Sequence, residues 1–152
     1  MASSMKVYLD TCSLQRPLDS RTQIRIILEA EAVLGLLSFV EAGQIELVSS
    51  EALLFETNRN PNLIRRQYAL EALSKASTFA VVDKQVVARA RALIAESIRP
   101  LDALHLACAE LAGADYLCTC DDQFLKRART LETTRLQVIS PIELIEEIET
   151  WS

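Results

Sequence analysis

The spacing of apolar residues switches repeatedly between short runs and a period of three to four. Lys6 to Leu9 is strand-like, with Val7 and Tyr8, and ends at Asp10 before a short polar turn containing Pro17. From Thr22 to Ala42 the apolar positions Ile24, Ile27, Leu28, Ala32, Leu36, Phe39 and Val40 step by threes and fours until Gly43, which predicts a long amphipathic helix. Ile45 to Val48 reads as a strand, and Ser49 or Ser50 then caps a helix reaching Asn58, with Asn60-Pro61 opening another. Helices are predicted over Leu63–Ala76 and Val86–Ile94, separated by a β-branched strand at Phe79–Val82.

The second half repeats this grammar. Pro100 opens a helix over Leu101–Leu111 that Gly113 ends, and Tyr116–Thr119 is strand, Asp121–Leu131 helix and Leu136–Ile139 strand. Ser140, Pro141 and Glu143 supply the N-cap, first-turn proline and third-position glutamate of a last helix. Strands alternating with helices predict right-handed crossovers and an α/β fold: a three-layer α/β/α sandwich around a mostly parallel sheet, with ligands at the carboxyl ends of the strands. At 152 residues the expectation is one domain spanning 1–152.

Composition narrows the function. With 50% hydrophobic and 24% charged residues the chain builds a core rather than a disordered or fibrous segment. No apolar run approaches a membrane span and the first ten residues lack a secretory pattern, so no membrane role and a cytoplasmic location are expected. Three glycines leave no room for Walker A or dinucleotide loops. The four cysteines include Cys118 and Cys120 on one face of a strand but no CxxC, and His105 is the single histidine, so a Cys/His zinc site lacks ligands and reduced thiols are expected. A formal charge of -5 argues against a long electrostatic footprint on DNA, yet twelve of the sixteen basic residues are arginine, the better bidentate phosphate partner. Arg16, Arg21, Arg25, Arg59, Arg65 and Arg66 are candidates for that task.

Acids mark the candidate site. Asp10 and Asp121 stand at or just past the ends of predicted strands, where open α/β sheets build sites. Asp102 falls in the first turn after Pro100, and Glu56 six residues after Ser50. Each also has a structural role open to it: Asp10 and Asp121 as N-caps, Asp102 as complement to a helix dipole, Glu56 as a solvated side chain.

These stretches together resemble the PIN-domain ribonucleases, especially the VapC-type toxins of bacterial toxin-antitoxin pairs. The resemblance runs nearly end to end, through YLDTCSL, SSEALLFE and PLDALHLACAELAGADYLCTCDDQF. Carried over by position, it implies Asp10, Glu56, Asp102 and Asp121 as catalytic acids, with Asp10, Asp102 and Asp121 as metal ligands. It implies that Thr11 and Thr119 help orient acids; Ser50, Asp122 and Arg16 are further candidates to support the acids or bind substrate at the same rim. The chain departs from the family at Leu53, where a threonine is usual, and at Gln123, where many members carry a further acid for which Asp122 is a neighbouring substitute.

The resemblance implies a metal-dependent endoribonuclease with RNA as substrate, a homodimer, and an antitoxin protein as partner. Its chemistry agrees with the residues: carboxylates are hard oxygen ligands suited to Mg2+ or Mn2+, and a bound cation removes the need for a histidine base. His105, three residues after Asp102, is read as structural or as support for the acids. A dehalogenase-type phosphotransferase would need an aspartate where Cys12 stands, and a receiver domain would need adjacent acids after the first strand. The alternative of another class is a catalytically silent module of the same fold that binds RNA or protein.

Overall fold

In a computed structural model of the chain, describing residues 4–131 and 136–150, β1 (Met5–Leu9) lies at the centre of a five-stranded sheet. The expected span of 1–152 extends beyond these residues at both ends. Around β1 lie β2 (Ile45–Ser50), β3 (Thr78–Ala80), β4 (Tyr116–Cys118) and β5 (Gln137–Ile139), in the order β3-β2-β1-β4-β5. Every pair is parallel, with Val7 opposite both Leu47 and Tyr116. The sheet is therefore wholly parallel.

The helices are α1 (Thr11–Gln15), α2 (Ile24–Glu41), α3 (Glu51–Asn58), α4 (Leu63–Leu73), α5 (Lys84–Ala95), α6 (Pro100–Leu111), α7 (Asp122–Ala128) and α8 (Pro141–Thr150). The chain steps from β1 to β2 and β3 in one direction, then returns across β1 to β4 and β5. With right-handed crossovers, those two directions put helices on opposite faces of the sheet. α2 packs on α8, and α5 on α6. Consecutive residues Val7, Tyr8 and Leu9 are all buried, as a strand covered on both faces requires. Leu47, Val48, Leu106, Ala107 and Leu117 continue that core.

Several boundaries differ from the sequence expectation for identifiable reasons. The polar turn after β1 is α1 followed by a single 3-10 turn at Arg16–Leu18, because the Asp10 carboxylate caps the amide of Ser13. α5 begins at Lys84, since Asp83 accepts from the amide of Val86. The helix after Asn60-Pro61 begins at Leu63 as its apolar period predicts, capped by Asn62, and ends at Leu73 rather than Ala76. β3 runs Thr78–Ala80 rather than Phe79–Val82, α7 ends at Ala128 rather than Leu131, and α2 begins at Ile24. The reciprocal cap expected for α8 is present: Glu143 donates its amide to Ser140 Oγ at 3.2 Å, and the Ser140 amide donates to Glu143 Oε1 at 3.1 Å.

Candidate active site

The strand order reverses between β1 and β4, and the crevice at such a reversal opens at the carboxyl ends of the strands. Asp10 follows β1 directly and Asp121 follows β4 by three residues. Asp10 is 7% exposed, and its Oδ1 accepts from the Ser13 amide at 3.0 Å and from Cys12 Sγ at 3.1 Å. Its own amide donates to the Cys118 carbonyl at 3.1 Å, which fastens the end of β1 to β4. Burial pushes the Asp10 carboxyl above its ordinary range, although Thr119, Cys12 and the Ser13 amide oppose that shift.

Asp121 caps α7 through amides of Gln123 at 3.0 Å and Phe124 at 3.2 Å. Thr119, 1% exposed, serves both acids: its Oγ1 accepts the Asp121 amide at 3.0 Å, and its hydroxyl opposes the rise of the Asp10 carboxyl. Asp102 enters from the first turn of α6. Burial raises its carboxyl to about 6, with Asp121 and then Asp10 adding to the rise. The structure thus brings Asp10, Asp102 and Asp121 into one electrostatic group. Among the described residues, no three His, Cys, Asp or Glu side chains converge tightly enough to form a ready-made cage for a metal ion.

Glu56 reaches the same rim from α3, and is held differently. Its Oε1 accepts from Thr11 Oγ1, and lies 3.0 Å from His105 Nε2. Burial alone would raise this carboxyl, but the His105 and Thr11 hydrogen bonds outweigh it, so Glu56 lies below its ordinary value. Behind it, His105 Nδ1 lies 2.6 Å from the Tyr8 hydroxyl, which lies 2.7 Å from Ser50 Oγ. Ser50 also caps α3 by accepting the Leu53 amide at 3.0 Å. Tyr8 is fully buried and was not among the sequence candidates. The signal was available, because a strand places residues two apart on the same face, and Tyr8 precedes Asp10 by two.

The remaining candidates are occupied elsewhere. Arg16 is bound to Asp19 and to the buried Glu29, each at 2.9 Å. Asp122 is exposed and forked to Arg25, and Gln123 accepts from Arg99 at 2.7 Å. Of the other arginines, Arg21 pairs with Glu31, Arg65 with Asp19, Arg59 covers the Phe55 ring and Arg66 reaches the Asn60 carbonyl. The arginine excess therefore serves first as internal ties.

The chain is similar to known proteins in part of its sequence and in its fold. Ribonuclease VapC46 from Mycobacterium tuberculosis (strain ATCC 25618 / H37Rv) is 44% identical over 62 residues, which cover 40% of this chain and 45% of that protein; the match thus spans less than half the relative's length. The crystal structure of VapBC2 from Rickettsia felis bound to a DNA fragment from their promoter superposes with a TM-score of 0.57 at 14% identity, covering 88% of this chain and 98% of that one. That of PAE2754 from Pyrobaculum aerophilum gives 0.53 at 14% identity, covering 97% and 99%. At those identities the likeness is one of fold. The PIN domain family model matches residues 7–130, from within β1 past the end of α7, and so takes in all four acids of the rim. The chain belongs to the PIN-domain family.

Proposed function

We propose that this protein is a Mg2+- or Mn2+-dependent endoribonuclease that hydrolyses RNA phosphodiester bonds, acting as the toxin of a toxin-antitoxin pair. The observation that carries the reading is the placement of Asp10, Asp102 and Asp121 at the strand reversal, where the charges of Asp121 and Asp10 add to the effect of burial on the Asp102 carboxyl. Likeness to a protein named as a ribonuclease supports the reaction, and likeness to a VapBC2 structure supports an antitoxin partner.

The donor set fits a hard divalent cation. Asp10, Asp102 and Asp121 present carboxylate oxygens, and their mutual repulsion is relieved by positive charge. Magnesium in particular binds through one or two carboxylates and keeps several waters, so a tight protein cage is not required. When bound, the cation would neutralise charge on the phosphodiester and make water more acidic. Asp10, fixed by the Ser13 amide and Cys12, sets the position of the group. Glu56, kept charged by His105 and Thr11, is a proton acceptor at the same rim. RNA phosphates would meet this rim rather than Arg16, whose guanidinium is already paired.

We also read the protein as a homodimer. Ile24 is 76% exposed, Ile64 70% and Leu28 52%, an apolar surface on α2 and α4 of the kind that marks an interface. Among the described residues no helix is long and apolar enough to cross a membrane.

The decisive experiment is cleavage of single-stranded RNA in manganese by the parent and by Asp10→Asn and Asp102→Asn. Both variants should keep the parent's circular dichroism spectrum and lose cleavage. A folded variant that cuts as fast as the parent overturns the assignment. Calorimetry without manganese binding at millimolar concentration would favour the silent binding module.

A further inference from the structure

Four side chains from β1, β2, α3 and α6 form an unbroken hydrogen-bonded line: Ser50 Oγ, Tyr8 Oη, the two nitrogens of His105, and Glu56 Oε1. All but Glu56 are buried, at 2% exposure or less. The direction of this line follows from counting protons. A charged carboxylate can only accept, so the Nε2 of His105 carries a proton and donates it to Glu56. In neutral imidazole Nδ1 must then accept, and its only partner among the described residues is the Tyr8 hydroxyl, which therefore donates to it. With the Tyr8 proton committed, the Ser50 hydroxyl donates to Tyr8, while Ser50 Oγ accepts the Leu53 amide. Every donor and acceptor in the line is satisfied in that arrangement. A doubly protonated ring would reverse the line and turn the Ser50 hydroxyl from the Tyr8 oxygen to the Cys108 sulfur, a weaker acceptor.

We propose that Tyr8 and His105 are positioning residues, whose one-directional relay from Ser50 fixes the His105 tautomer and presents its Nε2–H to Glu56, holding that carboxylate in a single orientation at the active rim. Thr11 donates to the same oxygen, Oε1, so Oε2 is the oxygen left for water or substrate. The relay also explains why a hydroxyl-bearing ring sits in the central strand: Tyr8 stands edge-on to His105, with ring centroids 5.7 Å apart. A phenylalanine would fill the same space and leave Nδ1 unanswered. This role rests on the endoribonuclease reading for its kinetic consequence, but not for its structural one.

Two measurements test it. The first is the nitrogen chemical shifts of the single imidazole in 15N-labelled full-length protein, which report the tautomer whether or not the protein cleaves RNA. The relay requires Nε2–H with Nδ1 as acceptor, and Tyr8→Phe, which removes the described donor to Nδ1, should move the Nδ1 shift to that of a nitrogen without a hydrogen bond. A dominant Nδ1–H form, or a ring indifferent to Tyr8→Phe, overturns the proposal. The second is RNA cleavage by His105→Ala, expected to fall roughly 10- to 100-fold in kcat with little change in KM, as misplacement of a reacting group does. Added imidazole should restore part of the loss, and in a Glu56→Gln background His105→Ala should cost nothing further. A folded His105→Ala as fast as the parent, or a loss undiminished when Glu56 is already Gln, overturns it. A parent without cleavage, but with the required tautomer, would reject the ribonuclease reading and leave the relay standing.

Discussion

Arg25 grips Asp122 through two contacts of 2.6 Å, while the preceding residue, Asp121, turns its carboxylate onto the amides that open α7. Adjacent acids thus have separate work. The guanidinium holds the Asp122 carboxyl below its ordinary value, and the fork leaves that group facing Arg25 instead of Asp102. Asp122→Asn should therefore retain RNA cleavage within about threefold of the parent, since the exposed pair contributes little. Asp121→Asn should lose cleavage. Equal losses in a side-by-side assay would add Asp122 to the ligand set.

Arg16 offers a second separation of roles. Glu29 is 1% exposed, and Arg16 reaches it at 2.9 Å, with Arg25 at a longer 3.4 Å. Removing Arg16 would leave a buried carboxylate with only that longer tie, and breaking a buried pair costs about 3 kcal/mol. Arg16→Ala should lower the melting temperature by roughly 6–12 °C. If Arg16 served RNA phosphates instead, the melt would hold and the salt dependence of RNA binding would weaken.

Much of the candidate site was legible because its acids sit at element boundaries. Asp10 and Asp121 end a strand or open a helix, and a strand end is visible in one sequence once the apolar period changes. The five residues of α1 were invisible, because a helix of little more than one turn shows no period; only the cap at Asp10 marks it. The Tyr8–His105 contact joins residues 97 apart in sequence, and no local pattern encodes that a strand tyrosine will meet the chain's one histidine. The arginines misled for the opposite reason. Their number was plain, but whether a guanidinium is free or spent depends on acids brought close by the fold, such as Glu29 for Arg16.

The apolar surface of α2 and α4 bears on assembly. Ile24 and Leu28 lie one turn apart on α2, so their exposure forms a stripe rather than scattered points. Light scattering at micromolar concentration should return about twice the 16.9 kDa chain mass. Ile24→Lys with Leu28→Lys should return the chain mass with the fold retained. A parent at 16.9 kDa under those conditions rejects the dimer.

Asp102 supplies the pH dependence. Burial, Asp121 and Asp10 raise its carboxyl to about 6, whereas an unfolded chain titrates aspartate near about 3.9. Between those values the folded state binds more protons, so the metal-free protein loses stability as pH rises from about 4 to 6, and then levels off. Glu56, held low by His105 and Thr11, acts with the opposite sign and loses its contribution as pH falls through its folded value. Comparing Asp102→Asn with the parent isolates the first effect. The variant should melt about 2–4 °C higher at pH 7, about 1 kcal/mol after allowing for the exposure of Asp102, and equally at pH 4. Manganese should act on the same repulsion. At a hundred times its dissociation constant it adds ~2.7 kcal/mol by mass action, or roughly 5–10 °C, and the gain should grow from pH 5 to pH 7 as Asp102 ionises. Asp102→Asn should keep less of that gain. Parent melts that coincide in EDTA and in excess manganese at pH 7 would remove the physical basis for a cation among Asp10, Asp102 and Asp121.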